Sequence, residues 1–255
     1  MADDQPEYHE ITQEHGKIRR IAYRFEPGAK AGASAIMWLP GFQSRMLGEK
    51  ADAVAVFARQ RGAALMRFDY SGHGESPGTP EDGVVSDWIA ESEAIFHRME
   101  GRRTILVGSS MGAWIALLLA QRLAGVEALV LIAPAWNMTE DLMWAQFTPQ
   151  VRDIIMNEGC YRLPSSYEAG GYQISHRLIE DGRKHSIGPG PFGVRCPVRI
   201  IHGLRDADVP YQRSVELMSL LANDDVRLIC VKDAEHRLAR PQDLALLLQV
   251  LGEFI

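Results

Sequence analysis

The sequence predicts an α/β fold: a mostly parallel sheet of about eight strands, covered by helices on both faces. Two observations carry this. From residue 35 onward, short runs that are apolar throughout alternate with segments of helical period, the pattern of strands buried on both faces. The chain has 255 residues, 46% hydrophobic and 24% charged, enough for one sizeable core. Taken in order, residues 8–25 alternate around "EHGK" and predict an antiparallel hairpin, with Ile11, Ile18, Ile21 and Tyr23 facing inward. Strands are predicted at 35–39, 63–68, 104–108, 128–133, 198–203 and 226–231. Helices are predicted near 49–61, 86–99, 111–124, 211–222 and 241–254. The right-handed crossover rule leaves few ways to connect them.

Residues 135–195 interrupt the alternation. They hold Trp136, Met138, Leu142, Met143, Trp144 and Phe147, then a helix at 150–158 and a closing "GPGPFG" loop. Insertions of this length are usually functional. The expectation is a small helical cap within a single domain spanning 1–255.

Charge and composition exclude several classes. The net charge is −6 with no block of Lys or Arg, so neither nucleic acid nor an anionic membrane is an expected partner. The longest apolar runs, "AWIALLLA" and "ALVLIA", are too short to span a bilayer. "MADDQPEYHE" resembles neither a secretory signal nor an Arg-rich transit peptide. Cys160, Cys196 and Cys230 show no C-x-x-C spacing, so no disulfide framework or zinc site is expected. A reducing, cytoplasmic location fits, with no metal and no cofactor.

Two stretches read G-x-S-x-G: "GESPG" at 74–78 and "GSSMG" at 108–112. A serine nucleophile in this pattern sits between a strand and a helix, and the N–H of the next residue donates to the oxyanion. Ser76 is followed by Pro77, which has no N–H, and then by turn chemistry in "GTPEDG". It reads as a glycine-rich loop with His73 in a structural role. Ser110 follows the strand "RTILV" and opens the helix "MGAWIALLLAQRLA". The Met111 N–H then points along a first turn whose orphan donors favour an anion. Gly108 and Gly112 lack the side chains that so tight a turn would exclude. The predicted nucleophile is Ser110.

A serine hydroxyl needs a base, and the base needs a third group to fix its tautomer. Behind such an elbow the chain order is Ser, acid, His. "HGLRDADVP" places Asp206 just past a strand end, the sheet edge where α/β proteins build sites. The histidine that follows it is His236 in "VKDAEHRL", also just past a strand. Asp208 is the alternative acid. Glu235 reads as a surface charge, His202 as a hydrogen-bonded core residue, and His9, His15 and His97 carry no partner signal. In "WLPGFQS", Gly41 lets the backbone approach and Phe42 N–H is the second oxyanion donor; an ordinary Pro-Gly turn fits the tetrapeptide equally well.

The stretches "LPGFQS", "RFDYSGHGES", "ILVGSSMGAW", "CPVRIIHGLRDADVP" and "DAEHRL" together resemble the mycophenolic-acid acyl-glucuronide esterase group of α/β-hydrolases, also described as mitochondrial palmitoyl-protein thioesterases. The resemblance covers nearly all of residues 33–254 and is loosest in the cap. It implies the α/β-hydrolase fold, Ser110, Asp206 and His236 as triad, and Phe42 and Met111 as oxyanion donors. The chain departs from the group in lacking a mitochondrial-type presequence and in carrying Ala113 where a second glycine is usual.

Such chemistry is acyl transfer to water, with small-molecule esters or thioesters, or an acylated protein, as substrate. Trp136, Met138, Met143, Trp144 and Phe147 either line an acyl pocket or pack the cap onto the sheet. Arg177, Arg183 and Lys184 either meet a carboxylate or coenzyme A phosphate or form a solvated helix face. The same triad also serves carbon–carbon hydrolases and cofactor-free haloperoxidases, and the fold serves non-catalytic receptors. A dehalogenase needs Asp at the elbow and is excluded by Ser110.

Overall fold

The computed structural model describes residues 5–12, 18–30, 32–99, 101–164 and 170–255. The expected "EHGK" turn and His15 lie outside the described residues. The eight-stranded sheet runs in the order β1(Glu7–Thr12), β2(Ile18–Glu26), β4(Leu65–Phe68), β3(Ala35–Leu39), β5(Thr104–Ser109), β6(Val126–Ile132), β9(Val198–Gly203), β10(Val226–Val231). The β1–β2 and β2–β4 pairs are antiparallel and all others are parallel. Ile21 and Tyr23 are buried as expected, but Ile18 is 57% exposed. The period of two explains the error: Ile18 stands an odd number of residues from Ile21 and Tyr23, and so points to the other face.

Alternation divides the core. Met37, Leu106, Leu129, Leu131 and Ile200 pack on one face against α2(Val85–His97), α3(Met111–Arg122) and α6(Gln212–Leu220). Ile36, Trp38, Ile105, Val107, Val130 and Ile201 face α1(Glu49–Arg61) and α7(Pro241–Leu251) on the other. Helix α3 is apolar on almost every side and buried accordingly.

Strand order fixes where a site can form. After β3 the chain crosses through α1 to β4 on one side; after β5 it crosses through α3, on the opposite face, to β6 on the other side. The loops leaving the neighbouring strands β3 and β5 therefore diverge, opening a crevice at their carboxyl ends.

The segment between β6 and β9 carries more than the expected helix. It contains a π-helical turn at Met138–Met143, a 3-10 turn at Trp144–Gln146, α4(Pro149–Glu158), an antiparallel ribbon of β7(Cys160–Leu163) and β8(Tyr172–Ser175), and α5(His176–Arg183). The ribbon was not predicted, and α5 was foreseen only as the helix-face reading of Arg177, Arg183 and Lys184. Polar contacts fasten this segment to the sheet domain. The Asp181 carboxylate accepts from Ser86 N–H at 2.7 Å and Ser86 Oγ at 2.8 Å, at the start of α2. Asn137 donates to the Ile187 carbonyl at 3.0 Å and accepts from its N–H at 2.7 Å. Gly182 is required where α5 crosses Thr139, because a Cβ there would collide with that side chain.

Candidate active site

Ser110 lies in the crevice, on the turn between β5 and α3, with φ 56° and ψ −119°. A non-glycine residue at positive φ holds strain of order 1–3 kcal/mol, kept only where surroundings impose it. Here they do. Ser110 N–H donates to the Ile132 carbonyl at 2.9 Å, and the Ser110 carbonyl accepts from Ala113 and Ala135. A Cβ on Gly108 would strike the backbone of Gly112 and Ala113, and one on Gly112 would strike the carbonyls of Leu39 and Pro40. Ala113 fits without strain because its Cβ is directed away into the core.

The loops after β9 and β10 bring two further groups to Ser110. Gly203 lets them touch, since a Cβ there would meet the Ala234 carbonyl. Arg205 N–H donates to that same carbonyl at 2.9 Å. His236 Nε2 stands 3.1 Å from Ser110 Oγ, and His236 Nδ1 stands 2.7 Å from Asp206 Oδ2. The other oxygen, Asp206 Oδ1, accepts from the N–H groups of Asp208 and Val209 at 2.9 and 2.8 Å. Burial raises the cost of the Asp206 charge, but the hydrogen bonds from His202, His236 and Val209 overcome it and hold the carboxyl well below the usual range. Asp208 is exposed and Glu235 points to solvent, so neither replaces Asp206 beside the imidazole. Arg240 clamps the His236 loop by pairing with Asp233 and Asp243.

Opposite the imidazole, Gly41 packs against Ser110: a Cβ on Gly41 would lie 3.3 Å from the serine Cβ. Phe42 follows it, and Met111 opens α3 directly after Ser110. Phe42 also packs its ring at 5.6 Å from Tyr172 of the ribbon and 5.8 Å from Trp88.

A cavity of about 840 Å³ opens over Ser110 and His236. Met138 and Met143 line it; Trp136, Trp144 and Phe147 do not. Trp136 is buried beneath the Arg213 guanidinium, 3.6 Å from its ring, and donates to the Arg213 carbonyl. Trp144 lies between Arg152 and Arg183, and Phe147 packs against Tyr161. Trp144 and Phe147 pack within the inserted segment, and Trp136 ties it to α6. Leu142, Leu163 and Tyr172 supply apolar wall that the sequence reading missed, and Arg45, Lys50 and Arg237 stand on the polar side. Burial lowers the Lys50 ammonium to about 8, and it donates to the Arg237 carbonyl, tying α1 to the His236 loop. Arg177, Arg183 and Lys184 lie outside the cavity, each paired with carboxylates.

Ser76, the rival serine, is buried away from this site, donating to the Asp69 carbonyl and accepting from Ala22 N–H. Among the described residues, Asp206, Asp208 and His236 form the group whose ligand atoms cluster within 4.8 Å. Their hydrogen bonds already engage the imidazole Nδ1 and both Asp206 oxygens.

An elbow serine at a topological switch point, with an imidazole and a carboxylate on the next loops, is the layout of the α/β hydrolases. A family model described as Serine aminopeptidase, S33 matches residues 34–167. The bovine palmitoyl-protein thioesterase ABHD10, mitochondrial, is 34% identical over 243 residues, covering 93% of this chain and 77% of that protein. Its human counterpart is 32% identical over 240 residues, with the same coverage of 93% and 77%. Among solved structures, a putative hydrolase from Agrobacterium vitis S4 superposes with a TM-score of 0.92 at 37% identity, covering 98% of this chain and 99% of that one. Mouse alpha/beta hydrolase domain-containing protein 10 superposes with a TM-score of 0.85 at 31% identity, covering 97% of each chain. The chain belongs to this family of α/β hydrolases, and it is a hydrolase.

Proposed function

We propose that this protein is a serine esterase and thioesterase working through an acyl-enzyme on Ser110. The observation that carries the reading is the hydrogen-bonded line from Ser110 Oγ through His236 to Asp206, at 3.1 and 2.7 Å. In the first step Ser110 Oγ attacks the carbonyl carbon and its proton passes to His236 Nε2. Asp206 holds Nδ1–H and offsets the charge of the imidazolium. The N–H groups of Phe42 and Met111 receive the negative oxygen, a stabilisation whose loss costs about two to three powers of ten in turnover. His236 then protonates the departing alcohol or thiol. Water, deprotonated by the same imidazole, releases the acid and restores the serine.

The substrate reading is an acyl ester or thioester, either a small molecule or an acylated protein. Its acyl chain lies along Met138, Leu142, Met143, Leu163 and Tyr172, beneath residues 135–195 acting as a cap within one domain. Unbranched methionines adapt to chains of different length. The relatives named as palmitoyl-protein thioesterases support the same class. No helix among the described residues is long and apolar enough to cross a membrane. The free thiols of Cys160, Cys196 and Cys230 support a reducing compartment, here the cytoplasm, which imaging of the tagged full chain tests.

A fluorophosphonate probe is expected to label wild-type protein at Ser110 and to leave Ser110→Ala unlabelled. The same substitution lowers turnover of a p-nitrophenyl ester by about four to six powers of ten. An unlabelled wild type would mean a ligand receptor rather than an enzyme. Labelling without cleavage of any ester or thioester would point to carbon–carbon or peroxidative chemistry on the same side chains.

A further inference from the structure

His202 stands four residues before Asp206, on β9, and is completely shielded from solvent. The period of two directs it to the side of Val198 and Ile200, towards α6. Its Nδ1 is 2.6 Å from Ser214 Oγ on that helix. Its Nε2 is 2.9 Å from the Val209 carbonyl and 3.2 Å from Asp206 Oδ2. For a neutral ring these contacts decide the tautomer. A carbonyl oxygen only accepts, and so does a carboxylate, so Nε2 carries the hydrogen. The Ser214 hydroxyl then donates to Nδ1. A hydrogen on Nδ1 instead would leave the Nε2 lone pair facing two oxygens in a buried pocket.

Asp206 Oδ2 therefore takes the ring N–H of His236, with His202 Nε2 3.2 Å away and its one hydrogen shared with the Val209 carbonyl, while Oδ1 takes two N–H groups from the backbone. The remaining charged groups that face this carboxylate are Asp208, exposed on its own loop, and Lys50 from α1. A neutral imidazole is suited to the task. It fixes the carboxylate's plane without the full positive charge that would compete with His236.

We propose that His202, locked in its Nε2–H tautomer by Ser214, is a positioning residue that holds Asp206 in the orientation and charge state His236 requires. The proposal rests on the Ser110–His236–Asp206 reading given above.

Two substitutions of similar polarity separate positioning from simple packing. The amide nitrogen of Gln reaches the place of imidazole Nε2, whereas that of Asn stops near Nδ1, within reach of Ser214 only. In the full-length protein, His202→Gln is expected to keep kcat within about threefold of wild type on a p-nitrophenyl ester, because a donor to the carboxylate remains. His202→Asn is expected to lower kcat by about tenfold or more with KM unchanged, the scale of a lost hydrogen bond to a charged group. The acid limb of its kcat/KM profile moves to higher pH, because a less neutralised carboxylate holds the imidazolium proton more tightly. The downfield proton resonance of His236 Nδ1–H shifts with it. Ser214→Ala, a milder change on α6, moves that resonance and lowers kcat by releasing the tautomer. Equal kcat and equal acid limbs for the Gln and Asn variants would overturn the proposal, as would wild-type kinetics and resonance in Ser214→Ala. Wild-type protein that fails to take the fluorophosphonate overturns the underlying reading instead.

Discussion

Ser110 keeps a backbone conformation that costs energy, and the residues that impose it are glycines with no room to become anything else. Gly112→Ala drives a methyl group into the Leu39 and Pro40 carbonyls, and neither is the movable end of a side chain. A loss of about 3 kcal/mol or more is expected in chemical denaturation, together with loss of esterase activity. The elbow was legible because its demands are local: the strand end, serine, helix start and two glycines lie between Gly108 and Gly112. His73 tests a longer-range effect. Burial among Phe42, Tyr70 and Trp88 holds its imidazole down at about 4. The unfolded chain titrates near 6.5, so folding expels a proton between these values. The stabilisation is complete above pH 6.5 and is lost as pH falls towards 4, by up to about 1.4 kcal/mol per pH unit. Asp69, pushed up to about 6 chiefly by burial, takes up a proton on folding between about 6 and 4 and works in the opposite sense. The comparison is therefore with His73→Phe. Its melting temperature relative to wild type is expected to rise as pH falls from 7 to 4.5; a constant difference would contradict the assignment. Ser76 shows what sequence conceals: the groups it bonds are seven and fifty-four residues away.

Secondary elements were legible in proportion to how strongly one period dominates. Five strands of the main sheet, β3, β4, β5, β6 and β9, buried throughout or nearly so, the half-exposed edge strand β10 and the apolar helix α3 fall where periodicity puts them. The β7–β8 ribbon does not, since "CYRL" and "YQIS" are four residues each and neither alternates cleanly. Helix α5, legible only as a charged helix face, contains Gly182, a poor helix former retained because Thr139 occupies the space a side chain would need. The same helix carries Asp181, whose carboxylate meets the first turn of α2. Asp181→Ala removes three charge-assisted hydrogen bonds, two from Ser86 and one from Lys184, and leaves the Ser86 N–H without its acceptor. A loss of about 1–3 kcal/mol is expected. With the inserted segment loosened, KM should rise for long acyl chains while short esters are turned over as before. Equal effects on both lengths would mean that this contact serves stability alone.

At the scale of the whole molecule, function follows from strand order. The reversal between β3 and β5 opens the crevice, and parallel strands on one side deliver Asp206 and His236 to the same edge. That arrangement could be read from the sequence because its ingredients are ordered along the chain, each just beyond a strand. Beyond Met138 and Met143 the cavity lining could not, because Leu163, Tyr172 and Lys50 reach it from segments with no motif to announce them. Chelating agents are expected to leave turnover unchanged, since the imidazole and the Asp206 carboxylate are engaged with one another. Gly112 has one more effect. By bringing the first turn of α3 into backbone contact with the strand end that leads to Phe42, it couples the two amides proposed to bind the anion. Nothing has to assemble when a ligand arrives. A boronic acid that mimics the tetrahedral adduct should then associate in one rapid exponential phase in stopped-flow fluorescence, with no slow tightening after first encounter.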